Sequence, residues 1–244
     1  MTRRDEIRDK ALKDLQQYEV LMLNGHFDFG NGYHGAVYLN PHQLFRYPST
    51  IWRFAQDLLD VLPASVVEAT EVVTGPVTGG ALLAHTMAGL LDSRRAITRP
   101  PTLFAPFTLD TNPEGLPRRD GPQSGPSSRR WLSGRTATRP GGGGKASGHR
   151  CGHTLTRFYE RQVAGKKALV VDDVRNTGQT QAHCVELVRK AGGTVLATTE
   201  IYDRMEAMVD AGVPNVALAE YKAPDNYPAD SCPFCRAGVP VTAF

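Results

Sequence analysis

The stretch Ala168-Leu169-Val170-Val171-Asp172-Asp173-Val174-Arg175-Asn176-Thr177-Gly178-Gln179-Thr180 decides how the chain is read. Its first four residues are apolar and rich in β-branching, which predicts a short buried strand. Two adjacent carboxylates end that run, and a polar loop with one glycine follows. Beyond Thr180 the period becomes helical, with Ala182, Val185, Val188 and Ala191 on one face. Arg189 and Lys190 suit the C-terminal end of that helix, and Gly192-Gly193 stops it. A strand, an acidic pair, a tight loop and a helix N-terminus make a site for a sugar phosphate. Loop amides and the helix dipole favour the phosphate. Asp172 and Asp173 can accept hydrogen bonds from the vicinal hydroxyls of a ribose.

The same stretch resembles the PRPP signature of type I phosphoribosyltransferases, in the apolar run, Asp172-Asp173, Val174, Thr177-Gly178 and Thr180. Arg175 and Asn176 depart from it, since an apolar and a small residue are usual there. Asn176 keeps a donor for phosphate. Arg175 can face solvent, a partner or the pocket.

The charge balance of 28 basic against 25 acidic residues leaves a net +3 over 244 residues, so no global field argues for a nucleic-acid partner. No long apolar run and no basic-then-apolar leader is present, which predicts a protein without membrane association, in the cytoplasm. Four cysteines, Cys151, Cys184, Cys232 and Cys235, are too few and too uneven for a disulfide framework.

From the N-terminus, residues 4–23 predict one amphipathic helix with Ile7, Ala11, Leu15, Tyr18 and Met22 on its stripe. The segment from Gly25 to Asn40 alternates glycines with aromatics. It resembles the N-terminal hood of orotate phosphoribosyltransferases at Phe27, Phe29, Gly32, Tyr38 and Asn40. Gly30 stands where that family has a lysine, and Asn31 and Gly35 replace its serines. Pro48 opens a second helix and Pro63 closes it. A strand over residues 71–74 leads into Gly75-Pro76-Val77-Thr78-Gly79-Gly80 and a helical run over 81–91, again an anion site built from backbone amides. The loop resembles the pyrophosphate loop of the orotate-type members. Residues 101–106 predict the next strand.

Between 110 and 153 the pattern dissolves into Arg, Gly, Pro and Ser. Composition predicts either a long mobile segment or the trace of a local reading-frame shift in the gene. The orotate-type enzymes carry a catalytic loop with a Lys-x-His-Gly core here. Only Lys145 to His149 comes near it, in another order, so no catalytic lysine is assigned. Residues 194–202 and 216–221 predict two more strands, with a short helix through Met205, Met208 and Val209 between them. Asp203-Arg204 resembles the family's base-contacting pair, and a guanidinium there can fork onto a carboxylate or paired carbonyls. In the tail, Cys232-Pro233-Phe234-Cys235 has zinc-knuckle spacing but supplies two ligands only. His149, Cys151 and His153 are the residues that would complete such a site. The reading preferred is two reduced thiols in a docked tail and no bound metal.

These readings predict an α/β protein with a doubly wound parallel sheet of the type I phosphoribosyltransferase kind and a small N-terminal hood. Residues 1–62 would form the N-terminal helices and hood, 63–222 the core, with 110–153 atypical, and 223–244 the tail. The resemblance implies phosphoribosyl transfer from PRPP to a nucleobase, orotate first, in a homodimer, with Mg²⁺ arriving mainly through PRPP. A purine-type acceptor and a non-catalytic PRPP-binding regulator on the same fold stay open. It further implies that Asp172 and Asp173 are catalytic and hold the ribose. Asn176, Thr177, Gly178, Gln179 and Thr180 would take the 5′-phosphate, Thr78, Gly79 and Gly80 the pyrophosphate, and Phe29, Tyr38 and Arg204 the base.

Overall fold

The computed structural model describes every residue except 1, 30–31, 96–99, 110–152, 206–208, 223, 225 and 244, and every side chain but those and 42, 109 and 157. The first helix, α1 (Arg3–Gln17), starts on a capping box in which Thr2 and Asp5 satisfy each other's backbone N–H. It is shorter than the helix predicted over 4–23. Glu19 takes a φ of 56°, which no helix continues, and Leu21–Met22 leave as a strand. That strand is β1, followed by β2 (Phe27–Asp28), β3 (Tyr33–Gly35) and β4 (Tyr38–Leu39). Then come α2 (Pro48–Val61), α3 (Ala64–Ala69), β5 (Val72–Pro76), α4 (Gly79–Arg94), β6 (Leu103–Leu109) and β7 (His153–Thr154). The second half holds α5 (Arg157–Val163), β8 (Lys167–Arg175), α6 (Gln179–Lys190), β9 (Thr194–Asp203), β10 (Asn215–Glu220), β11 (Tyr227–Pro228) and α7 (Pro233–Arg236). The short helix expected through Met205 to Val209 is absent at its described ends. Met205 has φ 53°, and Val209 donates its N–H to the Thr177 carbonyl at 2.8 Å.

The main sheet has the order β10-β9-β8-β5-β6-β7, parallel throughout except for β7, which runs antiparallel on the edge. A parallel sheet covered on both faces needs strands that are apolar on both sides. β8 meets this with Leu169 and Val171 facing one core and Ala168 and Val170 the other, all fully buried. The first core joins α1, α2 and α4 to the sheet through residues such as Leu15, Phe54, Leu58 and Met87. The second packs Val163, Val185 and Val188 of α5 and α6 over Ala105 and Phe107. Because α1 and α2 share the first core with Leu218 and Ala219 of β10, the expected boundary at 62/63 runs through a single packed layer.

Two small antiparallel sheets form the hood. β1 pairs with β4, and β3 is flanked by β2 and by β11 from the tail. The hood is therefore built from both ends of the chain. Among the described residues no helix is long and apolar enough to cross a membrane.

Leu169 sits at the centre of the sheet with no exposed surface. Leu169→Ala is expected to lower unfolding free energy by about 2–5 kcal/mol, the range for a cavity in a packed core. Urea titration with an unchanged m-value would measure it.

Candidate active site

Strands in chain order β5, β6, β8, β9, β10 lie in space as β6-β5-β8-β9-β10, so the winding direction reverses between β5 and β8. Open α/β sheets bind ligands at the carboxyl ends of their strands at such a reversal. Here the register shows how the crevice opens. β5 pairs with β8 from Val72↔Ala168 only as far as Thr74↔Val170, while Gly75 and Pro76 continue along β6 alone. β8 for its part follows β9 as far as Arg175↔Asp203. The two strands thus part just before the acidic pair.

The N-terminus of α4 enters beside that gap. A Cβ on Gly79 would fall inside the Asp173 carboxylate, and one on Gly80 would press on Pro76, the Val171 carbonyl and Asp172. Glycine at both positions is what lets the β5–α4 turn, which passes through a cis Val77–Thr78 peptide, close against the two aspartates. On the opposite side Gly178, with φ 78°, turns the loop into α6.

A cleft of about 730 Å³ lies over these strand ends. Its floor is Asp172, Asp173, Asn176 and Thr180; Pro76 and Val77 form one wall, and Tyr202 and Arg204 another. Phe29, Tyr33 and Tyr38 of the hood cover it, with the Phe29 and Tyr38 rings stacked at 6.0 Å and 12°. A second hollow of about 130 Å³ continues beneath, lined by Thr177, Gly178, Gln179 and Arg175 together with residues of the floor. The structure therefore brings Asp172, Asp173, Asn176, Thr180, Arg204, Phe29 and Tyr38 around one cleft and Thr177, Gly178 and Gln179 around its extension. Thr78, Gly79 and Gly80 sit behind the wall rather than on it. Phe27, which shares in the hood resemblance, is buried inside the hood. Gly30, Asn31 and Lys145 lie outside the described residues.

Two residues contribute beyond the sequence reading. Arg175 turns inward: it is buried, its guanidinium lies 3.5 Å from Asp203, and its Nε has no hydrogen-bond partner among the described residues. No residue pattern gave its direction. His153, considered only as a metal ligand, lines the cleft instead, its carbonyl accepting from His183 at 3.0 Å if that nitrogen is protonated. Partial burial lowers the His153 imidazole below its ordinary value.

Electrostatically the floor is a packed set of carboxyls. Burial first, then the charge of Asp173, pushes Asp172 well above the usual carboxylate range. Its neighbour across the β8–β9 ladder is Glu200, fully buried. Burial raises Glu200 to about 7, against the hydrogen bonds that Gln181 and Asn215 donate to it at 2.7 Å each. Arg204 reaches Asn176 Oδ1 at 3.3 Å, and its own N–H donates to the Arg175 carbonyl. The segment after β9 is thereby pinned across the loop that follows β8.

No family model matches the chain. Comparison with curated proteins finds an orotate phosphoribosyltransferase of Caldanaerobacter subterraneus, 26% identical over 234 residues and covering 96% of this chain and 95% of that one. An orotate phosphoribosyltransferase of Maricaulis maris is 29% identical over 226 residues, 93% and 90% of the two chains. Among solved structures, orotate phosphoribosyltransferase from Aeropyrum pernix superposes with a TM-score of 0.53 at 21% identity, over 86% of this chain and 93% of that one. The chain is similar to orotate phosphoribosyltransferases over nearly its whole length and shares the fold of the Aeropyrum pernix structure.

Glu200 makes the stability of this fold pH-dependent. Its folded value of about 7 lies above its ordinary 4.5, so its contribution is complete below about 4.5 and is lost as pH rises through 7. The difference corresponds to about 3 kcal/mol. The melting temperature is expected to fall between about pH 5 and pH 8, and Glu200→Gln to remove Glu200's share of that slope. Differential scanning calorimetry across the range measures both.

Proposed function

We propose that the protein transfers the 5-phosphoribosyl group of PRPP to orotate, giving orotidine 5′-phosphate and pyrophosphate, a step of pyrimidine nucleotide synthesis. The observation that carries this reading is the acidic pair at the parted strand ends, with the Gly79-Gly80 turn closed against it and a phosphate-sized hollow beside it. Near full-length similarity to two orotate phosphoribosyltransferases supports the acceptor.

Breaking the bond between C1 and the pyrophosphate oxygen builds positive charge on the ribose ring, as in glycoside chemistry. The protein's part is to position and to complement charge rather than to form bonds. Asp172 and Asp173 would hold the ribose hydroxyls beside the developing cation. Asn176 to Thr180 would bind the 5′-phosphate through loop amides and the α6 N-terminus, with Arg175 beneath them. The turn would face the departing pyrophosphate through Pro76 and Val77, backed by Thr78 to Gly80. Asp172 and Asp173 are hard oxygen donors of the kind that suit Mg²⁺, which when carried on the PRPP oxygens would offset charge on the leaving group. Arg204 would fork onto orotate oxygens while Phe29 and Tyr38 cover the ring. We further place the protein in the cytoplasm as a homodimer.

Asp172→Asn with Asp173→Asn is expected to weaken Mg-PRPP binding by about 1–3 kcal/mol, the loss of one or two charged hydrogen bonds. Calorimetry giving wild-type affinity would refute the ribose assignment. Arg204→Ala is expected to raise KM for orotate about tenfold or more, with PRPP affinity nearly unchanged. The direct assay is pyrophosphate release with PRPP and orotate, uracil, adenine, hypoxanthine or xanthine. Turnover with a purine alone would overturn the acceptor and keep the chemistry. Tight PRPP binding without turnover on any base would replace the enzyme by a regulator.

A further inference from the structure

Away from the cleft, the hood and the tail bring four metal-ligating side chains to one point. His26, His34, Cys232 and Cys235 each offer one ligand atom, and all four atoms lie within 4.8 Å of one another. The measured separations are 3.0 Å between His26 Nε2 and His34 Nδ1 and 3.5 Å between His26 Nε2 and Cys232 Sγ. Cys235 Sγ lies 3.7 Å from His26 Nε2 and 3.3 Å from His34 Nδ1. A tetrahedron with zinc bonds of about 2.0–2.1 Å to nitrogen and about 2.3 Å to sulfur has edges of about 3.3 Å for N–N, 3.5 Å for N–S and 3.8 Å for S–S. Four of the six separations already stand close to those edges, and the other two do not exceed 4.8 Å.

The protonation pattern argues the same way. His26 Nδ1 lies 2.9 Å from the Val239 carbonyl, which can only accept, so the proton of a neutral His26 belongs on Nδ1 and Nε2 is bare. His34 Nε2 faces the Asp28 carboxylate at 3.9 Å, which favours the proton there and leaves Nδ1 bare. Two nitrogen lone pairs 3.0 Å apart repel unless a cation lies between them. Each outer nitrogen turned to a carbonyl or carboxylate is the arrangement that orients metal-bound histidines. His26, His34 and Cys232 are buried, and the Phe234 ring packs on His26 at 5.4 Å.

We infer that His26, His34, Cys232 and Cys235 form a structural zinc site that clamps the C-terminal tail onto the hood. A two-thiolate, two-imidazole tetrahedron with no open position is a structural zinc set, not a catalytic one. The tail needs such a tie. α7 has four residues, and the tail meets the hood through β11 with β3 and the Asp28–Thr242–His26 backbone bonds. The clamp joins segments more than two hundred positions apart, so it closes a very long loop. It also fixes the cleft's rim, since Tyr33 on β3 and Asn226 just before β11 both line the cleft. The sequence spacing of Cys232 and Cys235 points to a metal only once the hood supplies the two histidines; the reduced-thiol reading and the alternative ligands at 149–153 give way to them.

The test uses the full-length protein and reads metal rather than turnover, so it stands apart from the acceptor question. Elemental analysis after dialysis into metal-free buffer is expected to find zinc equimolar with the chain. Cys232→Ser/Cys235→Ser and His26→Asn/His34→Asn are each expected to bring it to background. Co²⁺ exchanged into the wild-type protein should give the visible bands of a tetrahedral site with thiolate charge transfer, which requires no variant to fold. Stripping the metal should expose the segment after 222 to limited proteolysis. Background zinc in the wild type with both thiols titratable, or with Cys232 and Cys235 joined as a disulfide, would overturn the site. So would zinc that persists in the double cysteine variant.

Discussion

Beyond Thr74 and Val170, β5 and β8 no longer exchange backbone hydrogen bonds, yet both continue in a sheet buried on two faces. Buried backbone groups must find partners, so each strand turns to its outer neighbour, β5 to β6 and β8 to β9. That reversal leaves a place in the sheet where loop amides, helix N-termini and strand-end side chains converge without blocking one another. Gly79 and Gly80 then let the β5–α4 turn approach the aspartates across the gap, and any side chain there would push the walls apart. The geometry of the cleft is thus a consequence of strand order, and the particular residues decorate an opening that the topology makes.

The hood depends on a different constraint. Strands of two or three residues cannot hold themselves together, and a two-stranded ribbon is marginal in water. Here β2 and β3 gain a third strand from residues 227–228 and a further bridge from Phe27 to Thr242. The cover over the cleft is therefore assembled last in chain order, from a tail that must return across the molecule. Its aromatic surface is ordered only as well as that return is fixed, which links the far C-terminus to the position of Phe29 and Tyr38.

Local chemistry was legible in the sequence wherever a motif repeats a backbone need. The apolar run before Asp172-Asp173, the loop to Thr180 and Gly75 to Gly80 each predict their own strand, turn and helix, because turn glycines and buried strands leave strong marks. The end of α1 was not legible, since Tyr18 and Met22 continue the helical stripe while Glu19 breaks it by a backbone angle that glutamate rarely adopts. Neither was the partner of Cys232 and Cys235. His26 and His34 sit in a segment whose glycines and aromatics account for themselves, and only tertiary structure brings them to the tail. Arg175 was ambiguous for the same reason: at a strand end the pleat says which face a side chain takes, but the turn that follows decides whether that face is pocket or solvent.

The direction of Arg175 matters to the charge of the whole floor. Asp172, Glu200 and Asp203 are buried within the ends of two adjacent strands, and Arg175 is the cation set among them. Three ionised carboxylates with one guanidinium would leave a strongly negative pocket, hostile to a ligand that carries several phosphates. Burial resolves this by holding Asp172 and Glu200 toward their neutral forms, while Asp203 keeps its ion pair with Arg175. The floor then presents hydrogen-bonding carboxyls where a ribose would lie and keeps a positive guanidinium under the loop where a phosphate would lie. An apolar residue at 175 would leave Asp203 buried and unpaired, which costs several kcal/mol in typical interiors. The departure from the signature at this position is therefore tied to Asp203 by burial, and the two residues have to be read as one feature.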